Sequence, residues 1–225
     1  MKKKILVIAA HPDDETLGCG GTILKLIRDG YSADVMFLTD GVSSRENKDI
    51  FIKKFAISRK HNALKACNVL GFKRVKFYDF PDNSLDTVAQ LEISKVIELE
   101  IKKSKPDLIF THNSEDLNID HRIVAESTII ATRFYNKQHT IVSYEILSST
   151  DLNFHMNNSN FKPNFFVDIK KTIKNKIRAF KEYKKEIRRF PHPRSEKGIQ
   201  VLSNYRGMFS GLNNAEAFKI IKKIN

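Results

Sequence analysis

Residues Ile5 to Ile23 constrain this chain more than any other stretch. Six apolar residues, Ile5-Leu6-Val7-Ile8-Ala9-Ala10, stop abruptly at His11-Pro12-Asp13-Asp14-Glu15. A short apolar run that ends in polar residues and glycines predicts a buried parallel strand. Thr16 to Gly30 then reads as a helix, with Leu17, Ile23, Leu24 and Ile27 on one face and Gly30 at its end. One imidazole and three carboxylates therefore gather at the carboxyl end of the first strand. That edge is where open α/β sheets bind ligands.

The spacing has a chemical use. His11 and Asp14 offer a nitrogen and an oxygen that fold back onto one borderline cation such as zinc. Pro12 biases His11 away from the α region and holds it extended at the strand end. The side chains of adjacent Asp13 and Asp14 diverge, which leaves one of them for another job. A carboxylate beside a metal-activated water suits a general base. The plainer alternative is an acidic loop that caps the helix, with Asp13 or Asp14 as N-cap.

Further strands are expected at Ala33 to Thr39, Val75 to Phe80, Asp107 to Thr111, Thr140 to Leu147 and Phe165 to Ile169. Helices are expected at Ile50 to Leu70, at Leu91 to Ile101, from His121 to about Tyr135, and at Lys170 to Arg189. A last helical portion takes in Ser195 to Tyr205 and Ala215 to Ile224. Strands alternating with helices predict a three-layer α/β/α arrangement around a mostly parallel sheet. The 225 residues suffice for one large domain, and no repeat or linker divides them, so 1–225 reads as a single unit.

Composition narrows the class. At 41% hydrophobic and 29% charged, the chain is globular rather than disordered. No apolar run approaches the roughly 20 residues that cross a bilayer. The basic start precedes only a six-residue apolar run that ends in charge, so it reads as a strand and not a signal peptide. Cys19 and Cys67 make no disulfide framework, and a reduced cytoplasmic protein is the simpler expectation. The net charge of +13 is mostly lysine spread along the chain. No nucleic-acid-binding motif accompanies it, so it reads as solvated faces that suit an anionic small molecule.

The fourth strand delivers His112, and the next helix begins at His121. His11, Asp14 and His121 then make a two-histidine, one-aspartate set with a fourth position open, as in a catalytic zinc site. Asp13 would take a proton from the activated water and pass it to the leaving amine. Asp120 would orient His121 or cap the helix.

The segments AHPDDETLGCGGTI and DLNIDHR resemble the LmbE/PIG-L family of zinc-dependent de-N-acetylases. These act on N-acetylglucosamine-containing glycans, glycolipids and thiol-sugar conjugates. The resemblance runs from the first strand to FPHPRS and the closing helix. It implies a Rossmann-like fold, one zinc ion or a related divalent metal on His11, Asp14 and His121, and Asp13 as general base. It also implies Arg59 as a substrate-contacting arginine. Many relatives carry a histidine three residues before the last ligand, where this chain has Asn118. Asparagine donates to an oxyanion but is no acid at neutral pH. His192, between two prolines, is the first candidate for the missing imidazole and His112 the second. Asp40, Arg45, Asp82 and Asn83 fall in loops on the same edge, where they would meet sugar hydroxyls. Arg45 or Arg194 would hold a phosphate. Ordinary turn chemistry accounts for each of these loop residues equally well.

The expected activity is removal of an acetyl group from an N-acetylated sugar, either a glycoconjugate or a nucleotide sugar, by a chain that is monomeric or oligomeric. Two other classes compete. Gly18, Gly20 and Gly21 with Asp40 suggest a dinucleotide site, but Ile23 stands where the third glycine belongs and three carboxylates would repel a pyrophosphate. A sugar- or anion-binding protein without turnover is the other, favoured by Asn118.

Overall fold

The computed structural model describes residues 2–42, 44, 49–133, 139–154 and 161–223, with backbone alone over 49–53. β1 (Lys4–Ala9) is an interior strand, flanked by β2 (Ser32–Thr39) and β4 (Leu108–His112). Seven strands form one sheet in the order β3-β2-β1-β4-β5-β7-β6, with β3 at Arg74–Phe80, β5 at Thr140–Tyr144, β6 at Phe165–Asp168 and β7 at Ala215–Lys222. β1 to β5 are parallel, while β7 runs antiparallel to both β5 and β6. The expected mostly parallel three-layer sheet is therefore present.

The layers follow from alternation along β1. Ile5, Val7 and Ala9 enter one core, with residues of α1 (Asp14–Arg28), α2 (Asp49–Leu70), α5 (Ile173–Lys181) and α6 (Glu196–Ser210). Leu6, Ile8 and Ala10 enter the other, against α3 (Gln90–Ser104) and α4 (Ile119–Ala131). Both faces of the strand are buried, which is why it reads as a continuous apolar run rather than an alternating one. Each fully buried large aliphatic side chain contributes about 1.5–3 kcal/mol.

Chain direction across the sheet reverses at β1. The path runs outward to β2 and β3, then returns to β4 on the other side of β1 and continues to β5. The carboxyl ends of β1 and β4 thus flank a topological switch point, the place where such sheets leave a crevice.

Two expectations differ from the structure. Ala215 to Ile224 was expected as helix; Ala215–Lys222 is β7, and Ile224 lies outside the described residues. The strand is fixed by its partners: it zips between β5 and β6, and Glu216 accepts from the backbone N–H of Gly21 (2.9 Å) and Thr22 (2.6 Å) and from Lys176 Nζ (2.6 Å). The helix expected at Lys170 to Arg189 is confined to Ile173–Lys181, and turns lead on to Pro193. As the helix predicted over Thr16 to Gly30 requires, Gly18, Gly20 and Gly21 lie inside α1, where they serve packing. A Cβ on Gly18 would sit 2.3 Å from Tyr144 Cδ2, and one on Gly21 would sit 3.0 Å from Ile169. Among the described residues no helix is long and apolar enough to cross a membrane.

Candidate metal centre and active site

His11 lies two residues past the end of β1, and His121 lies in the first turn of α4, which follows β4. The switch point brings them together. His11 Nδ1 stands 3.2 Å from Asp14 Oδ2 and 3.2 Å from His121 Nε2, and His121 Nε2 is 3.4 Å from Asp14 Oδ2. All three residues are buried. Donor atoms on a tetrahedral zinc at about 2.0–2.1 Å stand about 3.3–3.4 Å apart, so this triangle has the dimensions of three zinc ligands. The second oxygen of Asp14, Oδ1, is buried without a hydrogen-bond partner among the described residues.

The electrostatics ask for positive charge here. Burial depresses the His11 imidazole, but Asp120, Asp14 and Asp82 outweigh it and hold it up at about 10. Burial likewise opposes Asp14 and Asp116 at His121, and the carboxylates win, holding that ring up at about 9. A divalent ion meets the same demand while both imidazoles stay neutral, which is the form a ligand requires.

Each histidine is backed by a carboxylate. His11 Nε2 lies 3.1 Å from Asp120 Oδ2 and 3.3 Å from Asp82 Oδ1. Asp120 is itself fixed by the backbone N–H groups of Asn83 (2.8 Å) and Leu85 (3.0 Å). The expectation that Asp120 orients His121 or caps the helix is thereby corrected: it serves His11. The cap of α4 is Asn118, whose Oδ1 accepts from the N–H of Asp120 (2.8 Å) and His121 (3.4 Å), while its Nδ2 donates to Asn83 Oδ1 (2.9 Å). His121 is served instead by Asp116, with Oδ1 3.1 Å from Nδ1. Asp116 accepts from Ser149 Oγ, Thr150 Oγ1 (2.5 Å) and Asn118 N (2.9 Å). Burial raises its pKa, but His121 and these hydroxyls outweigh burial and hold it at about 2. Sequence reasoning passed over Asp116, because its partners Ser149 and Thr150 lie more than thirty residues downstream.

Asp13 occupies the N-cap position of α1, yet its side chain makes no capping bond. Its backbone is strained, with φ 121° and ψ −23°, and its N–H donates to Glu15 Oε2 (3.0 Å). Such a conformation in a non-glycine residue costs about 1–3 kcal/mol and persists only where the surroundings over-determine it. Asp13 Oδ2 accepts from Arg59 Nη2 (3.1 Å) and Arg194 Nη1 (3.0 Å). Oδ1 is buried without a hydrogen-bond partner among the described residues. Burial raises the pKa of this carboxyl above the ordinary aspartate value, against the opposing pull of Arg194 and Arg59.

Of the remaining sequence candidates, Arg59, Asp82 and His112 adjoin the cluster, while His192 does not. Arg59 is buried beneath the loop and donates to Pro12 O, Asp13 and Glu186, so its guanidinium holds the loop. Asp82 is buried at the edge of the cluster, accepting from Ser44 Oγ (2.5 Å). His112 is fully buried behind His121, stacked on it at 4.0 Å, with Nε2 accepting from Ala10 N (2.9 Å). His192 is exposed, and its Nδ1 accepts from Arg194 N (3.0 Å); the structure brings Arg194, two residues on, to the cluster in its place. Asp40 makes a turn bond to Val42 N (2.9 Å). Arg45 lies outside the described residues.

Comparison with known proteins follows the same line. A family profile described as GlcNAc-PI de-N-acetylase, PIG-L, matches residues 6–132. Diacetylchitobiose deacetylase of Thermococcus kodakarensis is 27% identical over 230 residues, covering 99% of this chain and 84% of the relative. The structure of N,N'-diacetylchitobiose deacetylase from Pyrococcus horikoshii, complexed with its inhibitor MPG, superposes with a TM-score of 0.81 at 22% identity, over 97% of this chain and 84% of that one. GalB, the 4-carboxy-2-hydroxymuconate hydratase of Pseudomonas putida, superposes with a TM-score of 0.80 at 17% identity, over 99% and 98% of the two chains.

Proposed function

The chain belongs to the PIG-L family, the GlcNAc-PI de-N-acetylases, and from that membership we propose that it is a zinc-dependent hydrolase that removes the acetyl group from an N-acetylated sugar. The observation that carries the reading is the triangle of donor atoms on His11, Asp14 and His121, with sides of 3.2, 3.2 and 3.4 Å. These three residues would hold the ion. The chemistry a bound zinc supplies is polarisation of an acetamide carbonyl and a water whose pKa falls toward about 7.

The chain's own residues do the rest. Asp13 lies next to the ligand Asp14, and its unpartnered Oδ1 is the acceptor for a proton from the attacking water. The same oxygen then returns that proton to the departing sugar nitrogen, and acetate leaves. Asp120 holds the His11 imidazole in the tautomer that presents Nδ1 to the ion, and the Asp116 carboxylate, 3.1 Å from His121 Nδ1, favours a proton on that nitrogen and leaves Nε2 for the ion. Asp82 stands at the rim as an acceptor for a sugar hydroxyl. Its Oδ2 is already tied to Ser44, which fixes its direction. The side chain of Asn118 is committed to capping α4, which leaves Asp13 as the group that serves both proton transfers.

The lysine-rich surface suits an anionic substrate, and the two free, buried cysteines suit a reducing compartment such as the cytoplasm. We read the whole of 1–225 as one deacetylase domain. The same fold carries a hydratase in GalB, so fold by itself does not choose the reaction. Acetate release from N-acetylglucosamine, diacetylchitobiose, an N-acetylglucosaminyl conjugate and a nucleotide sugar, measured with zinc loaded and with zinc removed, tests the proposal. Zinc-dependent acetate from any of them supports it. Tight sugar binding without acetate would instead favour a binding protein.

A further inference from the structure

We infer that Arg194 is a positioning residue for Asp13, which with Arg59 grips Oδ2 so that Oδ1 alone is presented to the reacting atoms. The inference rests on the reading of Asp13 as the proton-handling group.

The grip comes from two directions. Arg59 reaches Asp13 from α2 and Arg194 from the segment that enters α6, so the carboxylate plane is set by two donors on one oxygen. A carboxylate has about four acceptor sites, and an anchored Oδ2 leaves the orientation of Oδ1 determined. Glu186 joins the two cations: its Oε1 accepts from Arg59 Nη1 (2.5 Å), and its Oε2 lies 3.5 Å from Arg194 Nη1. Two guanidiniums and two carboxylates then cancel, which is the condition for keeping such charges at a buried site.

Arg194 is itself built into place. Its Nε donates to Ser148 Oγ (2.9 Å), its backbone N–H to His192 Nδ1 (3.0 Å), and its carbonyl accepts from Arg188 N (2.9 Å). The preceding residue, Pro193, lies against the first turn of α6, where a Cβ on Gly198 would meet Pro193 O at 2.1 Å. Only glycine lets the connector approach this closely. With Nε and Nη1 both committed inward, Arg194 serves the loop rather than a phosphate group on the substrate. The side chain of Arg194 keeps 20% of its surface exposed, against 5% for Arg59, so its removal opens a hole that small solutes can reach.

The test is Arg194→Ala, assayed on whichever of the four acetylated sugars the wild-type protein deacetylates. Misplacement of a reacting group costs up to about 100-fold. The expected result is a fall in kcat of about 10- to 100-fold, KM changed less than about threefold, wild-type zinc content, and partial recovery of kcat on adding guanidinium. Unchanged kcat overturns the inference, and so does a loss that guanidinium does not restore in a protein that still melts like the wild type. Crystal structures of both proteins give a readout independent of turnover. The Asp13 carboxylate should rotate in Arg194→Ala; an unmoved carboxylate sinks the inference even if no sugar proves to be a substrate. A zinc-loaded wild type that releases no acetate counts against the deacetylase reading and leaves the structural comparison to decide the role of Arg194.

Discussion

His11 Nε2 lies 3.1 Å from Asp120 Oδ2, so the ring nitrogen that faces away from Asp14 and His121 is tied to a carboxylate that two backbone N–H groups hold still. This bond fixes the tautomer in which Nδ1 is the lone-pair donor. Loss of such a backing carboxylate typically weakens metal affinity by about 10- to 100-fold. Asp120→Ala should show that loss in competition with a chromophoric zinc chelator. An affinity equal to the wild type would mean that His11 is oriented by something else.

Much of this was legible in the sequence, and the exceptions have physical causes. Ile5 to Ala10 announces a doubly buried strand because every residue in it is apolar, and both of its faces are indeed covered. His11 at the strand end and His121 at the helix start are local signals, each attached to a recognisable boundary. Ala215 to Lys222 misleads because AEAFKIIK fits a helical period as well as a strand period, and what selects the strand is pairing with β5 and β6. Asp116 carries no local mark, and Arg194 is marked only as a candidate for a phosphate, since each acquires its place from residues far away in the chain, Ser149 and Thr150 for one and Asp13 for the other. A sequence pattern shows what a residue does to its neighbours, not what a crossover brings to it.

Gly18 tests whether the glycines of α1 are packing residues. A Cβ there would lie 2.3 Å from the Tyr144 ring, whose hydroxyl donates to Ile8 O (2.9 Å) and whose edge contacts His112 at 4.8 Å between centroids. Overpacking of this kind costs about 1–3 kcal/mol. Gly18→Ala should lower stability in urea by that amount, and binding of NAD should be absent in both proteins. A neutral substitution would show that the ring moves freely.

Glu100 gives a pH signature remote from the triangle of His11, Asp14 and His121. Burial raises its pKa, but Lys103, Tyr78 and Arg74 outweigh burial and hold it below the ordinary glutamate value. The folded protein thus keeps a carboxylate where the unfolded chain would be protonated. Its contribution is present above the unfolded value of about 4.3 and is lost as pH falls through the lower folded value. Glu100→Gln should cost about 1 kcal/mol at pH 7, the worth of a typical hydrogen-bonded partner, and progressively less below pH ~4. A penalty that stays constant down to pH ~3 would show that charge is not its origin.

Metal removal is the sharpest test of the centre itself, because it can be read without any substrate. His11, Asp14 and His121 are buried with their donor atoms already converged, so an added ion finds its ligand set assembled in the folded chain. Binding to the folded chain alone stabilises it by about 2.7 kcal/mol at a free metal concentration 100-fold above Kd. For a chain of this length that corresponds to a rise in Tm of about 5–10 °C. Zinc added to the chelator-treated protein should raise Tm by that amount, and His121→Ala should abolish most of the rise. Without zinc the same variant should melt below the apo wild type, since it leaves the buried carboxylates of Asp14 and Asp116 without the imidazole that pairs with them. Equal zinc shifts in wild type and His121→Ala would place the ion somewhere other than this triangle.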